Sequence, residues 1–152
     1  MCESYDITHS DLNPTVLFLG KNNNVTTNTP HVHDNTEMLF VFSGSCQECI
    51  NGTVYDISAG DIVIINRGQL HNHIVASPSD PMILFFVGFC DYHFKGMEPN
   101  RFTFPGGSPV FHTSGLVRQD ISNLCLRMIS ERYSNQVGQY FMQKTYLTQL
   151  LL

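Results

Sequence analysis

Three histidines and a glutamate stand at spacings suited to metal or ligand chemistry: His31-x-His33-xxx-Glu37, and later His71. Imidazole nitrogens and a carboxylate together suit a divalent transition metal such as Zn, Ni, Mn or Fe. Side chains alternate across a β-strand, so His31, His33 and Glu37 share parity and are expected on one face of one strand. His71 is expected to join them from a neighbouring strand. The same four groups also suit direct hydrogen bonds to a small polar ligand, or to one another in a structural role. All three readings place them on the wall of a pocket. His73 shares parity with His71 and is read as a further ligand contact or as a donor behind the others. Tyr55 carries an amphipathic ring that suits either a ligand wall or the core.

Glycines punctuate the same region. The order is His31-x-His33-xxx-Glu37-xxxxxx-Gly44, then Gly60-Asp61-xxxx-Asn66-Arg67-Gly68-xx-His71. This order resembles the two motifs of the cupin superfamily, whose fold is a small double-sheet jelly roll with a central pocket. Val25 stands where the first motif has glycine. Asn66 and Val75 stand where the second has proline and often asparagine. The resemblance implies a metal or organic ligand held by His31, His33, Glu37 and His71.

The elements needed to position these groups are legible around them. Short strands are expected at Val16–Leu19, Glu37–Ser43, Cys46–Ile50, Thr53–Ile57, Asp61–Ile65, Leu70–Val75 and Met82–Phe89, parted by Gly, Asn, Ser and Pro turns. Asn51-Gly52 is a hairpin signal. Near-regular spacing of this kind predicts an antiparallel barrel or sandwich that closes its own edges. Residues 1–14 read as a polar arm, and 91–114 as irregular and aromatic-rich. From Gly115 the period turns helical, with Val117, Ile121, Leu124 and Met128 at 4-3-4 spacing. Ser134-Asn135 is expected to break this helix and cap a second one, which carries Val137, Tyr140, Phe141, Leu147 and Leu151. The apolar end Leu150-Leu151-Leu152 lacks stop signals and is read as a cut within a longer protein.

The domain reading is therefore an arm over 1–14, a barrel and following segment over 15–114, and a helical dimerisation segment over 115–152. The fold class is mainly β, a cupin-like double-stranded β-helix followed by two α-helices. This order resembles the N-terminal sensing and dimerisation domain of AraC-type transcription regulators, most specifically in HVHDNTEMLFVFSG and YDISAGDIVIINRGQLHNHI. The resemblance implies a non-enzymatic domain that binds a small effector, such as a sugar, inside the barrel. It also implies a homodimer through Val117, Ile121, Leu124 and Met128, with DNA contacted only by a helix-turn-helix domain absent from this chain. The alternative is a stand-alone metal-dependent cupin enzyme, such as a dioxygenase, isomerase or decarboxylase.

Composition narrows the classes. With 152 residues, 42% hydrophobic, the chain is long enough for one domain with a core. A charged fraction of only 14% suggests that some surface is covered by a partner or another domain. A net charge of −5 argues against this segment itself binding nucleic acid. No apolar run reaches membrane-spanning length and no basic-apolar leader opens the chain, so a cytoplasmic protein is expected. Five scattered cysteines do not form a disulfide framework. Cys46 and Cys49 would lie on opposite faces of one strand, which makes Cys46-x-x-Cys49 an ordinary strand sequence. Without tryptophan, one common sugar-stacking platform is missing. His9, His93 and His112 are read as surface or loop residues.

Overall fold

The computed structural model describes residues 12–75, 81–104 and 106–152. Most of the expected arm, with Cys2 and His9, and the Ser77–Asp80 turn lie outside these residues. Eight strands run in order: β1 Leu12–Asn22, β2 Thr36–Ser43, β3 Ser45–Ile50, β4 Thr53–Ser58, β5 Asp61–Ile65, β6 His71–Ile74, β7 Ile83–Tyr92 and β8 Val110–His112. Helices α1 Gly115–Arg132 and α2 Gln139–Leu151 follow. The strands form a five-stranded sheet, β1-β7-β2-β5-β8, and a three-stranded sheet, β4-β3-β6, with antiparallel pairing throughout.

Two cores explain why β2 and β7 are apolar almost throughout. On β2, Leu39 and Val41 point into the space between the sheets, where they meet Cys46, Ile50, Ile57, Val63 and Leu84. Their neighbours Met38 and Phe40 point the other way and join Phe85, Val87, Phe89, Cys125, Met128 and Leu147 beneath the helices. A strand buried on both faces has no polar alternation to show. The run Leu84–Phe89 is such a strand.

Several boundaries moved, each for a local reason. β1 begins at Leu12, inside the expected arm, and runs through Pro14. It can do so because β1 lies at the sheet edge and its pairing with β7 is irregular between Leu12 and Thr15. Within the expected irregular segment, Val110–His112 pairs with β5 as β8. Ser134-Asn135 does not cap α2. Ser134 Oγ donates to the Glu131 carbonyl (3.0 Å) at the end of α1, Asn135 takes a left-handed φ of 51°, and Gly138 precedes α2. Residues favoured at helix starts also close helices through side-chain bonds to the backbone, so composition alone could not separate the two.

Met128 corrects the dimerisation set. It is 0% exposed and packs in its own chain's core, so it offers no face to a second copy, while Ile121 is partly buried against the same core. Val117 is 59% exposed and Leu124 is half-buried. Of the 4-3-4 stripe, Ile121 and Met128 pack on the core beneath the large sheet, while Val117 does not. No helix is long and apolar enough to cross a membrane among the described residues.

Candidate metal and ligand site

His31 and His33 reach the pocket without belonging to β2. Two bends, at Asp34 and Asn35, separate them from the strand, so simple parity does not carry through. The backbone holds them instead. His31 and His71 exchange paired N–H···O bonds of 3.0 Å, and the Gly68 N–H donates to the His33 carbonyl at 3.0 Å. Gly44, Gly60 and Gly68 all take left-handed φ values at the turns between strands. At Gly60 a Cβ would stand 2.8 Å from the Thr113 carbonyl oxygen, so only glycine fits that turn.

The imidazoles are oriented alike. Nδ1 of His31 donates to the Thr29 carbonyl (3.1 Å), Nδ1 of His33 to Asn35 (3.1 Å), and Nδ1 of His71 to Gln69 (3.0 Å). A carbonyl only accepts, so each Nδ1 carries a proton and each Nε2 is left to face the site. One ring nitrogen from each histidine lies within 4.8 Å of the others. Glu37 completes the group from β2, its Oε2 3.0 Å from His33 Nε2 and 3.3 Å from His71 Nε2. The His71 Nε2 contact is not aligned as a hydrogen bond, and that buried atom has no partner. A bare imidazole nitrogen beside two others and a carboxylate fits a divalent transition metal.

Electrostatics agrees with a site that holds cations. Burial pushes the Glu37 carboxyl up, but His33 and His71 pull harder the other way and bring it down to about 2. The hydrogen bond to Glu37 holds His33 above its ordinary value despite partial burial. Without a metal, a proton on His33 Nε2 occupies part of the position a metal would take.

Beside this cluster opens a cavity of about 250 Å³. His31, Glu37, His71 and His73 line it with Asn22, Thr26 and Asn28. Leu39, Leu84 and Phe86 supply its apolar wall. His73 thus lies where its parity put it. Burial lowers its basicity, but the hydrogen bond and charge of Glu48 more than offset this and leave it raised. Tyr55 does not line this cavity. It pairs with Glu48 across β3 and β4 and packs on the core between the sheets.

Glu48 itself escaped the sequence reading. It is 0% exposed, and its Oε2 accepts from His73 Nδ1. Its parity with the inward Cys46 and Ile50 was the available signal, since a carboxylate in the apolar register of a strand needs a partner. Phe18 was also missed. Its ring stands edge-on to His33 at 6.2 Å and over Gly88, where a Cβ would meet it at 2.2 Å. His93 and His112 stand away from the cavity, bonded to the Met97 carbonyl and to Asp61 respectively. Cys46 faces the core while Cys49 lies on the other parity of β3, and both are free thiols.

Residues 24–88 match the cupin domain model. Over 81 residues, 53% of this chain, the sequence is 36% identical to an uncharacterized HTH-type transcriptional regulator, YdiP, of Escherichia coli (strain K12). The match covers 26% of that regulator, so the chain spans only about a quarter of the curated relative's length. Among solved structures, apo ToxT from Vibrio cholerae aligns over 93% of this chain and 55% of its own, with a TM-score of 0.55 and 7% identity. A cupin protein from Bacteroides fragilis aligns over 57% of this chain and 75% of its own, with a TM-score of 0.40 and 15% identity. Two sheets closed around inward histidines, in residues similar to the cupin domain model, give this chain a mainly β, cupin-like double-sheet barrel followed by two helices.

Proposed function

We propose that this chain is the ligand-sensing and dimerisation part of a transcription regulator. Its small effector enters the barrel and meets a divalent transition metal (Zn, Ni, Mn or Fe) held by His31, His33, Glu37 and His71. The convergence of three imidazoles whose Nδ1 atoms are tied to carbonyls supports the metal reading. The regulator reading is supported by the 36% identity to an HTH-type transcriptional regulator. DNA would be contacted by a domain outside this chain. A homodimer would form through the outward side of α1, with Val117, Ile121 and Leu124 at the contact and Met128 buried in its own chain.

Effector binding would act by linkage, favouring one arrangement of the paired chains through its differential affinity for the two. The test is to delete the gene in its source cell and compare transcripts, then footprint the full-length protein on the promoters that change. No altered transcripts and no footprint would sink the regulator. The rival reading is a metal-dependent cupin enzyme, favoured by an open cavity beside a complete ligand set. Metal-dependent turnover of oxygen or a small acid by the purified protein would establish it.

A further inference from the structure

Two carboxamides on the cavity wall have a role that the metal cluster does not explain. Asn22 and Asn28 line the cavity on its open side, where Asn22 is exposed and Asn28 half-buried. Asn22 Oδ1 accepts from the Asn24 N–H at 3.0 Å, and Asn28 Oδ1 accepts from the His73 N–H at 2.7 Å. A backbone N–H only donates, so the oxygen end of each carboxamide is fixed and the other end is an NH2 donor. Among the described residues neither Nδ2 has a partner. A carboxamide does not titrate, so these two donors are the same at every working pH.

A permanent positive charge stands beside them. On β1, Gly20 and Asn22 are two residues apart and face the same side, paired with Phe86 and Leu84 on β7. Both partners line the cavity. A Cβ on Gly20 would meet Phe86 Cζ at 2.6 Å and Arg132 Nη1 at 3.1 Å. The glycine thus leaves a gap through which an arginine from the last turn of α1 reaches past the edge strand to the Phe86 ring. Arg132 is exposed, and no carboxylate among the described residues pairs with it. A guanidinium is charged at any working pH and only donates. The acid of the histidine cluster is remote from this rim. Glu37 pairs with Gly88 on β7 and Asn22 with Leu84, four residues away, or roughly 13 Å by strand rise.

We propose that the open side of the cavity binds an anionic oxygen group, carboxylate or phosphate, carried by a small ligand with an apolar body. Asn22 and Asn28 donate to its oxygens, Arg132 supplies the charge beside them, and the body lies along Leu39, Leu84 and Phe86 toward the histidines. Neutral hydroxyls would satisfy the amides but leave the guanidinium unmatched. This rests on the cavity being the ligand site, as proposed above.

The test is calorimetry with benzoate and 3-phenylpropanoate, each against its neutral amide, and with phenyl phosphate against phenol. It is run on Co(II)-loaded and on chelator-treated protein, with every variant checked for its melting transition. In both states at least one anion is expected to bind roughly tenfold to a hundredfold tighter than its neutral counterpart, the range of a hydrogen bond to a charged group. The carboxylate and phosphate arms tell the two sources apart. Asn22→Asp and Asn28→Asp keep the oxygen that accepts from the backbone and replace the NH2 donor with a second oxygen. Each should erase the preference for the anion. Arg132→Ala should reduce it by up to about fivefold, less so at high salt, and Arg132→Lys should restore part of it. Anions no tighter than their neutral counterparts, a preference that survives Asn28→Asp, or one that vanishes when metal is removed would overturn the proposal. Thr26→Trp, at the exposed rim of the same cavity, reads the cavity itself. If it leaves benzoate affinity unchanged, the ligand sits elsewhere and the cavity reading falls with the proposal. Binding blocked by Thr26→Trp but indifferent to Asn28→Asp and Arg132→Ala defeats the proposal alone.

Discussion

His71 Nε2 is the atom on which the site turns. It is buried, its ring is locked by the Gln69 carbonyl, and it has no hydrogen-bond partner. Replacing His71 with alanine, or Glu37 with glutamine, is expected to weaken Zn(II) or Co(II) binding by at least ~10–100-fold, the effect known for changes around metal ligands. Competition against a chromophoric chelator would read it, and unchanged affinity in both variants would remove the metal assignment. The same residues set a pH dependence in the metal-free chain. Glu37 is lowered to about 2 from 4.5, so its contribution is present above pH 4.5 and is lost as pH falls toward 2. His33 is raised above 6.5, so its contribution is full below 6.5 and is lost as pH rises through its folded value. Metal-free protein should therefore unfold at a higher urea concentration near pH 6 than near pH 8. Metal affinity should run the other way, because ligand histidines must lose their protons. Urea midpoints with and without chelator at the two pH values decide both.

At the level of elements, close approach matters more than propensity. Gly88 lets the tip of the Phe18 ring approach β7 beside His33, and an added Cβ would meet that ring at 2.2 Å. Gly88→Ala is expected to cost about 1–3 kcal/mol, as overpacked cores do, and to push Phe18 off the site. A denaturant melt checks the cost; an unchanged midpoint would mean that Phe18 moves freely. On α1 the stripe divides by burial. Met128→Ala should cost about 2–5 kcal/mol by leaving a cavity, with no change in oligomeric mass. Val117→Asp should leave stability within about 0.5 kcal/mol, as exposed substitutions do. If α1 pairs two chains, Val117→Asp gives monomers in sedimentation. A dimer of unchanged mass would place the interface elsewhere.

For the whole molecule, one cavity joins two sheets that sequence alone treated as one run of strands. A ligand binding only the folded barrel stabilises it by mass action, about 2.7 kcal/mol at a hundred times the dissociation constant. Saturating metal should raise the melting temperature of wild type and leave His71→Ala nearly unchanged. Equal shifts in both proteins would mean that the ion binds elsewhere.

The chemistry-bearing residues, the turn glycines and seven of the eight strands were legible in the sequence because they depend on local rules. A histidine's donor atoms, a glycine's positive φ and a strand's period need few neighbours. His31, His33, Glu37 and His71 could be grouped because turn spacing constrains register. What depended on contacts far apart in the chain was not legible. The bends at Asp34 and Asn35, the pairing of β8 with β5, and the use of Ser134 to close α1 follow from backbone partners brought in by folding. The inward course of Glu48, the core position of Met128 and the exclusion of Tyr55 from the cavity were decided only when two sheets and two helices met. An apolar or amphipathic side chain names a need for burial, and the tertiary structure alone chooses the surface that meets it.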